Sequence, residues 1–217
     1  SHEFRTPLTT ILSSADLIGR YTDEESQEKR IKHINRIRNA VQNLTNILND
    51  FLSLEKLESG AISLKLVEFS LKEVYHEIME GIELTAKPGQ QIKTSLAPDL
   101  NLIITDQHLL KNICLNLLSN AIKYSPENRT IEFEVSEPED SLLQIRVKDE
   151  GIGIPEKEQS NLFQRFYRAE NATNIQGTGL GLNIVKRYLE LLKGNITFSS
   201  KEGSGTEFIV NFPYRKP

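Results

Sequence analysis

Cysteine is almost absent from this 217-residue chain, which contains Cys114 alone. A single cysteine excludes an internal disulfide and any metal site built from several thiolates. The chain also lacks an apolar run near the roughly 18 residues that a membrane-spanning helix requires. It has no charged-then-apolar signal peptide at its start, and no internal repeat or low-complexity tract. These absences fit an ordinary globular protein in a reducing compartment, and we expect a cytoplasmic location.

An excess of positive charge is missing as well. Lys and Arg number 26 against 30 Asp and Glu, which gives a net charge of -4, and the basic residues are spread along the chain. A nucleic-acid-binding surface needs clustered excess positive charge, so we expect no nucleic-acid partner. The hydrophobic share of 38% and the charged share of 26% are typical of a globular chain with one large or two modest domains.

The first 59 residues predict two amphipathic helices joined by a short turn. In the first helix, apolar residues recur at steps of three and four, at Phe4, Leu8, Ile11, Ala15 and Ile18. The second helix is predicted to start at an N-cap, Thr22, and carries a heptad seam at Ile34, Ile37, Val41, Leu44, Leu48 and Phe51. Two helices form half of a stable bundle, so we expect a homodimeric four-helix bundle. The alternative is packing of this hairpin against the rest of the chain.

From Gly60 the pattern changes to mixed α and β structure. Alternation of apolar and polar residues predicts strands over 62–66, 91–97, 101–105, 130–136, 142–148, 195–200 and 206–212. Helical periodicity predicts helices over 70–86, 106–124 and 178–192. The expected fold class is therefore multidomain, α followed by α+β, with a helical hairpin over 1–59 and a second domain over 60–217.

Polar side chains share one face of the helix predicted over 106–124. At 100° per residue, three amides and an ammonium fall within one stripe, and the opposite side is apolar: Asn112, Asn116, Asn120 and Lys123. Asn is a poor interior helix former, so a stripe of Asn needs a reason. Amide oxygens can ligate Mg²⁺, and Lys can neutralise phosphate. For the Asn residues alone, a solvated helix face is the alternative.

Two glycine-containing segments follow. Asp149 ends a predicted strand before Gly151 and Gly153, and its carboxylate, which only accepts hydrogen bonds, would favour adenine over guanine. Gly177-Thr-Gly-Leu-Gly-Leu182 opens a helix, and its glycines would let backbone N–H groups approach an oligophosphate. For the Asp149 segment, the alternative is an ordinary Asp-containing turn. A lone glycine-rich loop such as 177–182 is a weak signal. The polar stretch over 169–176 predicts either a mobile lid over a nucleotide or a plain surface loop.

His2 lies on a polar face of the first helix, together with Thr6, Thr9 and Ser13. We therefore expect its side chain to face solvent. A neutral imidazole is a competent nucleophile near neutral pH, and Glu3 could orient the ring or take its proton. An exposed histidine near a chain end would by itself indicate nothing.

Taken in order, these motifs resemble the conserved boxes of the sensor histidine kinases of two-component signalling. The resemblance covers essentially the whole chain. It comprises an H box (1–8), an N box (116–125), a first glycine box (149–153), an F box (163–168), a second glycine box (177–182) and a closing strand (203–208).

The resemblance implies a HisKA-type dimeric four-helix bundle followed by a Bergerat-type α/β sandwich. It implies ATP and Mg²⁺ as cofactors and a response regulator receiver domain as partner. His2 would be the phosphoacceptor and Glu3 its acid/base partner. Thr6 matches the H-E-x-x-T pattern, which implies that the kinase also dephosphorylates its regulator. A sensor region, often with membrane helices, is expected upstream, because Ser1 alone precedes His2 in this fragment.

The resemblance also implies roles in the nucleotide site. Asn120 would ligate Mg²⁺ with Asn116 beside it, and Lys123 would contact phosphate. Tyr124 would contact the nucleoside, Asp149 the adenine amine, and Arg168 the γ-phosphate. The glycine boxes would complete the nucleotide-binding set with Gly151, Gly153, Gly177, Thr178, Gly179, Leu180 and Gly181. Two rivals stay open: another Bergerat ATPase without a phosphohistidine, and a dimeric scaffold with a degenerate nucleotide site.

Overall fold

A computed structural model describes residues 2–21, 26–60, 63–175 and 177–217, except for the side chains of His2 and Glu3. The chain divides into two compact units, Ser1–Ala61 and Ile62–Pro217. The first unit is helical and the second combines helices with β-sheet, as the fold class predicted. Within the described ranges, no helix is long and apolar enough to cross a membrane.

The first unit is a hairpin of α1 (His2–Arg20) and α2 (Gln27–Glu58). The residues that α2 buries are spaced seven apart: His33, Ala40, Ile47 and Leu54. On α1 the buried positions are Pro7 and Ser14, again seven apart. Heptad spacing keeps these positions on one stripe of each helix, so the hairpin closes along these two stripes.

The seam predicted on α2 is not the stripe that the hairpin buries. Ile34, Val41, Leu48 and Phe51 are between 41% and 49% exposed, and Leu8 of α1 is 55% exposed. Packing between α1 and α2 therefore leaves these apolar residues of α2 about half-exposed. The N-cap predicted at Thr22 lies outside the described residues, and α2 begins after Ser26.

The second unit is a two-layer α/β sandwich. Its elements are β1 (Val67–Ser70), α3 (Leu71–Glu83), β2 (Gln91–Leu96), β3 (Leu102–Thr105), α4 (Gln107–Tyr124), β4 (Thr130–Glu139), β5 (Leu142–Asp149), α5 (Gly181–Leu192), β6 (Asn195–Lys201) and β7 (Gly205–Pro213). The five-stranded sheet has the order β2-β4-β5-β7-β6, with β2 and β4 parallel and the other neighbours antiparallel. Strands β1 and β3 form a separate antiparallel pair. Alternate residues of β4, β5 and β7 are buried, and α3, α4 and α5 supply the facing layer of the core.

Two predicted elements are wrong. The strand predicted over 62–66 does not form in its described part, 63–66; the strand is Val67–Ser70, where the backbone pairs with β3. The helix predicted from Thr178 begins at Gly181 instead. Gly179 has a φ of +70°, a left-handed conformation that no right-handed helix contains, so the helix cannot start before it.

Candidate functional site

The helix α4 presents the predicted polar stripe to one side and packs its other side in the core. Its N-cap is Asp106, whose Oδ1 accepts a hydrogen bond from the Leu109 N–H at 3.0 Å. The opposite side of α4 is buried, as predicted, at Leu110, Ile113, Cys114, Leu117, Leu118 and Ala121. The residues of the polar stripe are half-buried and not fully exposed to solvent: Asn112, Asn116, Asn120 and Lys123.

A hydrogen bond fixes the orientation of the Asn116 amide. Its Nδ2 donates to the Asn112 carbonyl at 2.9 Å, which leaves Oδ1 as the outward-facing end of the amide. A Cβ carbon built at Gly181 would lie 2.6 Å from this oxygen. Asn116 Oδ1 of α4 is therefore in direct contact with Gly181, the first residue of α5.

The second glycine box closes over the other end of the polar stripe. A Cβ carbon at Gly177 would collide with the Lys123 ammonium, and it would lie 3.8 Å from the Tyr124 hydroxyl. The Lys123 Nζ itself stands 4.2 Å from the centre of the Tyr124 ring, a cation–π distance. The tertiary structure thus brings the N-box side chains and the glycine-rich backbone to one place.

Asp149 ends β5 as predicted, and its carboxyl group is buried. Its Oδ1 accepts hydrogen bonds from the Gly151 N–H at 2.8 Å and the Thr206 N–H at 3.2 Å. Burial raises the pKa of this carboxyl to about 6, and the two backbone hydrogen bonds offset part of that rise. Oδ2 has no hydrogen bond among the described residues, so it can accept one from a ligand.

Close backbone approaches attach this segment to α4. A Cβ carbon at Gly151 would lie 2.6 Å from Asp149 Oδ1 and 2.7 Å from the Tyr124 carbonyl oxygen. The Ile152 N–H donates to that same carbonyl at 3.1 Å. Gly153 has a φ of +62° and packs directly on the Lys201 carbonyl. A side chain at Gly151 would push Asp149 away from α4, and one at Gly153 would collide with the backbone at Lys201. Both positions therefore require glycine.

Arg168 contacts the backbone of the loop that follows the F box. Its Nη2 donates to the carbonyls of Ala172, at 2.9 Å, and Thr173, at 3.0 Å, and also contacts the Ile175 carbonyl. Its charge opposes the rise that burial causes in the pKa of Tyr124, so the two side chains are electrostatic neighbours. In this structure the guanidinium holds the loop after the F box, and its phosphate contact stays a prediction.

The sequence did not single out Glu158, which organises the same loop. Its carboxylate is buried and accepts hydrogen bonds from the Tyr167 hydroxyl at 3.0 Å and the Glu170 N–H at 2.9 Å. Carboxylates are seldom fully buried without partners, so this residue is built into the loop. No local pattern in the sequence indicated Glu158, because the folded loop brings its two partners, Tyr167 and Glu170, close to it.

The motif that contains His2, Glu3 and Thr6 lies in the other unit. Thr6 is on the exposed side of α1, and the backbone at His2 and Glu3 belongs to the same helix. The side chains of His2 and Glu3 are outside the described residues, as is Gln176 of the glycine-rich segment. The roles expected of His2 and Glu3 therefore remain predictions.

Two family models match the beginning of the chain and its second half. Residues 1–60 match the His Kinase A (phospho-acceptor) domain. Residues 105–216 match the histidine kinase-, DNA gyrase B- and HSP90-like ATPase family.

Curated relatives are similar over the full chain. The sensor histidine kinase WalK of Bacillus subtilis is 34% identical over 220 residues, which is 100% of this chain and 36% of WalK. The autoinducer 2 sensor kinase/phosphatase LuxQ of Vibrio vulnificus is 32% identical over 229 residues, 100% of this chain and 26% of LuxQ. The chain therefore spans between a quarter and two fifths of the length of these relatives.

Solved structures share the fold. Full-length ShkA in complex with AMPPNP matches with a TM-score of 0.75 and 26% identity, over 100% of this chain and 45% of ShkA. The histidine kinase ThkA in complex with the response regulator protein TrrA matches with a TM-score of 0.73 and 24% identity, over 98% of this chain and 59% of that one. With both family models in their expected order and the N-box and glycine-box residues brought together, this chain belongs to the sensor histidine kinase family.

Proposed function

We propose that this chain is an ATP-dependent kinase core that phosphorylates its own His2. One observation carries the proposal: the side chains of Asn116, Lys123 and Tyr124 meet the glycine-rich backbone at Gly177 and Gly181. An ammonium and a cradle without Cβ atoms suit a polyphosphate. The ATPase family match and the nucleotide analogue in the ShkA structure support ATP as that ligand.

The adenine would be read by Asp149. Its Oδ1 is occupied by two backbone N–H groups, so Oδ2 is the atom that would accept the exocyclic amine. The glycines at 151, 153 and 179, with Thr178 and Leu180, let backbone pass close to the ligand on both sides. Tyr124 would pack against the nucleoside.

The amides of α4 fit Mg²⁺, which prefers oxygen ligands. Asn116 Nδ2 is tied to the helix backbone, so Asn116 presents its oxygen to the glycine loop, and Asn120 is half-buried one turn further along the same stripe. We infer that Asn120 ligates the ion with Asn116 beside it. The ion, when bound, supplies neutralisation of the phosphate charge.

In the transfer itself, the imidazole of His2 would attack the γ-phosphorus. The N–P bond forms as the bond from the γ-phosphorus to the bridging oxygen of ADP breaks, and Glu3 takes the imidazole proton. Lys123 would stabilise the charge on the phosphates, and Arg168 would join it at the γ-phosphate during transfer.

The phosphoryl group would then pass to an aspartate of a response regulator receiver domain. The ThkA structure with TrrA supports this partner, and the name of LuxQ, a sensor kinase/phosphatase, supports the reverse activity. We infer that Thr6, in the H-E-x-x-T pattern, serves that phosphatase reaction.

We infer that the active species is a homodimer. The uncovered stripe of Ile34, Val41 and Leu48 would pack against a second copy in a four-helix bundle, and its heptad spacing suits such a bundle. In this proposal, residues 1–59 dimerise and accept phosphate, and residues 60–217 bind ATP. The core would work in the cytoplasm, with any membrane attachment through an upstream sensor region.

Incubation with ATP labelled at the γ-phosphate tests the proposal. We expect acid-labile, alkali-stable label on the wild-type chain, loss of label in His2→Gln, and retention in the matched control His76→Gln, whose histidine is exposed on α3. Label that persists in His2→Gln would contradict the kinase assignment. ATP hydrolysis without label would favour another Bergerat-fold ATPase, and failure to bind ATP with Mg²⁺ would favour a nucleotide-free scaffold.

A further inference from the structure

A tight turn, Lys87-Pro-Gly-Gln90, lies between α3 and β2. Gly89 has a φ of +72° after Pro88, the combination that a type II turn requires. The Gln90 N–H donates to the Lys87 carbonyl at 3.0 Å, and the Gln90 Oε1 accepts from the Lys87 N–H at 2.8 Å. The turn is thus closed by its own backbone and side chain, and both long side chains are held on one side.

The Lys87 side chain ends at the C-terminus of α4. Its Nζ donates to the Lys123 carbonyl at 2.8 Å and to the Ser125 carbonyl at 2.7 Å, and the side chain is half-buried. The last carbonyls of a helix have no partners within the helix and carry partial negative charge. The Lys87 ammonium donates hydrogen bonds to these carbonyls and offsets part of their negative charge.

Gln90 completes the same cap. Its Nε2 lies 3.1 Å from each of three carbonyl oxygens, those of Ile122, Ser125 and Pro126. An amide nitrogen carries two hydrogens, so they are shared among these acceptors.

The remaining terminal carbonyls of α4 are also occupied. The Ala121 carbonyl accepts from the Ser125 N–H at 3.1 Å, and the Tyr124 carbonyl accepts from the Ile152 N–H at 3.1 Å. The end of α4 is therefore held from two directions, by the Lys87–Gln90 turn and by the segment after Asp149. Lys123 and Tyr124, which meet the glycine-rich loop, are the residues whose carbonyls these contacts hold.

We propose that Lys87 and Gln90 are positioning residues for the nucleotide site. They fix the last turn of α4, and through it they place the Lys123 ammonium and the Tyr124 ring against Gly177. This inference rests on the proposed ATP-binding function, since it assigns these residues a part in that same site. Neither touches the expected position of the ligand, so their effect on binding passes through the α4 backbone.

Calorimetric titration of the 217-residue chain with ATP and Mg²⁺ tests this, at a temperature well below each variant's unfolding midpoint. Lys87→Met keeps the chain length but removes both hydrogen bonds, and we expect a Kd about five- to tenfold higher, because charged hydrogen bonds to the helix end are lost. Lys87→Arg, which restores cationic N–H donors, should return the Kd to within about twofold of wild type. Lys72→Met, at an exposed lysine of α3, is the matched control and should leave the Kd unchanged.

The outcomes separate this inference from the proposed function. A purely stabilising role would lower the unfolding midpoint of Lys87→Met without changing its Kd, and that result would overturn the inference. If Lys87→Met does not fold, Gln90→Met decides in the same way, with a higher Kd supporting the inference and a wild-type Kd rejecting it. A wild-type chain that binds no ATP would instead refute the proposed function.

Discussion

The amide oxygen of Asn116 faces Gly181, so closely that a Cβ carbon at position 181 would lie 2.6 Å from Asn116 Oδ1. The contact joins the middle of α4 to the first residue of α5. It requires glycine because of space and not because of backbone conformation, since Gly181 has no left-handed φ. Because the helical backbone conformation of Gly181 is one that alanine also adopts, Gly181→Ala tests the contact without backbone strain.

Gly181→Ala should weaken binding of ATP with Mg²⁺ about tenfold, or about 1.4 kcal/mol, because the new methyl group displaces the Asn116 oxygen. Helix propensity favours Ala over Gly, which offsets part of the steric cost that the new methyl group adds to the free energy of unfolding. Calorimetry and thermal unfolding measure the two effects. The matched control is Gly81→Ala, where a Cβ has no neighbour within 4 Å; it should raise stability by about 0.5–1 kcal/mol and leave affinity unchanged. Equal affinities of wild type and Gly181→Ala would contradict the contact's role.

Asp149→Asn should stabilise the chain at neutral pH while it weakens nucleotide binding. The pKa of Asp149 is raised from 3.8 to about 6 by burial, so between these values the folded state holds a proton that the unfolded state releases. The free energy of unfolding of the wild type therefore falls as pH rises through this window, by up to about 3 kcal/mol. Because asparagine does not titrate, the free energy of unfolding of Asp149→Asn does not show this fall.

The measurement is denaturant unfolding of both proteins at pH 4 and pH 7. We expect the stability difference between Asp149→Asn and wild type to move in favour of the variant as pH rises, whereas Asp99→Asn, at an exposed position, should show no such trend. The pH dependence of nucleotide affinity should have the opposite sign to that of stability. Protonation below about pH 6 removes a carboxylate acceptor for the adenine amine, so wild-type affinity should fall on acidification more than that of Asp149→Asn. A pH-independent difference in stability would show that burial of this charge costs nothing.

Leu48→Glu should dissociate the proposed dimer. Leu48 is 49% exposed in the single chain and lies on the uncovered stripe of α2, where a carboxylate would have to be buried against the second copy. Sedimentation velocity should show a shift from dimer to monomer at micromolar concentration. Asn35→Glu introduces the same charge at an exposed position off this stripe and should remain dimeric. A dimeric Leu48→Glu would mean that another surface joins the two copies.

Arg168→Met should loosen the loop after the F box even without nucleotide. The guanidinium holds the carbonyls of Ala172, Thr173 and Ile175, and its loss leaves these groups to water. Amide hydrogen exchange over 170–175 should rise by about tenfold relative to wild type. Arg187→Met removes an exposed ion pair with Glu190 on α5 and should not change exchange in this loop. If exchange over 170–175 is unchanged in Arg168→Met, Arg168 does not hold this loop, and only its proposed contact with the γ-phosphate remains.

Much of the site was predictable because its residues lie on local periodic patterns. The stripe of Asn112, Asn116, Asn120 and Lys123 follows from the pitch of one helix, and the structure confirms α4 with its opposite face buried. The structure likewise confirms that Asp149 ends a strand, β5, in which buried and partly exposed residues alternate. Such patterns depend only on residues a few positions apart, so they can be recognised in the sequence itself.

The predictions failed where a distant segment decides. Alternation over 62–66 suggested a strand, but strand pairing begins at Val67, where β3 is available as a partner. The sequence also did not identify the stripe of α2 on which the hairpin closes, which is His33, Ala40, Ile47 and Leu54; the predicted seam, assigned to a dimer, stays a prediction. Two heptad stripes on one helix look alike in sequence, and the partner helix selects between them.

The sequence by itself determined the order of the motifs, the amphipathic elements that carry them and the chemistry that each residue type can perform. Tertiary structure alone decided which of these groups meet. It placed Asn116 on Gly181, buried Asp149 deeply enough to raise its pKa to about 6, and turned Lys87 onto the end of α4. Each of these depends on a close approach between segments far apart in the chain, and electrostatic and steric effects act through that distance in space, which no local pattern encodes.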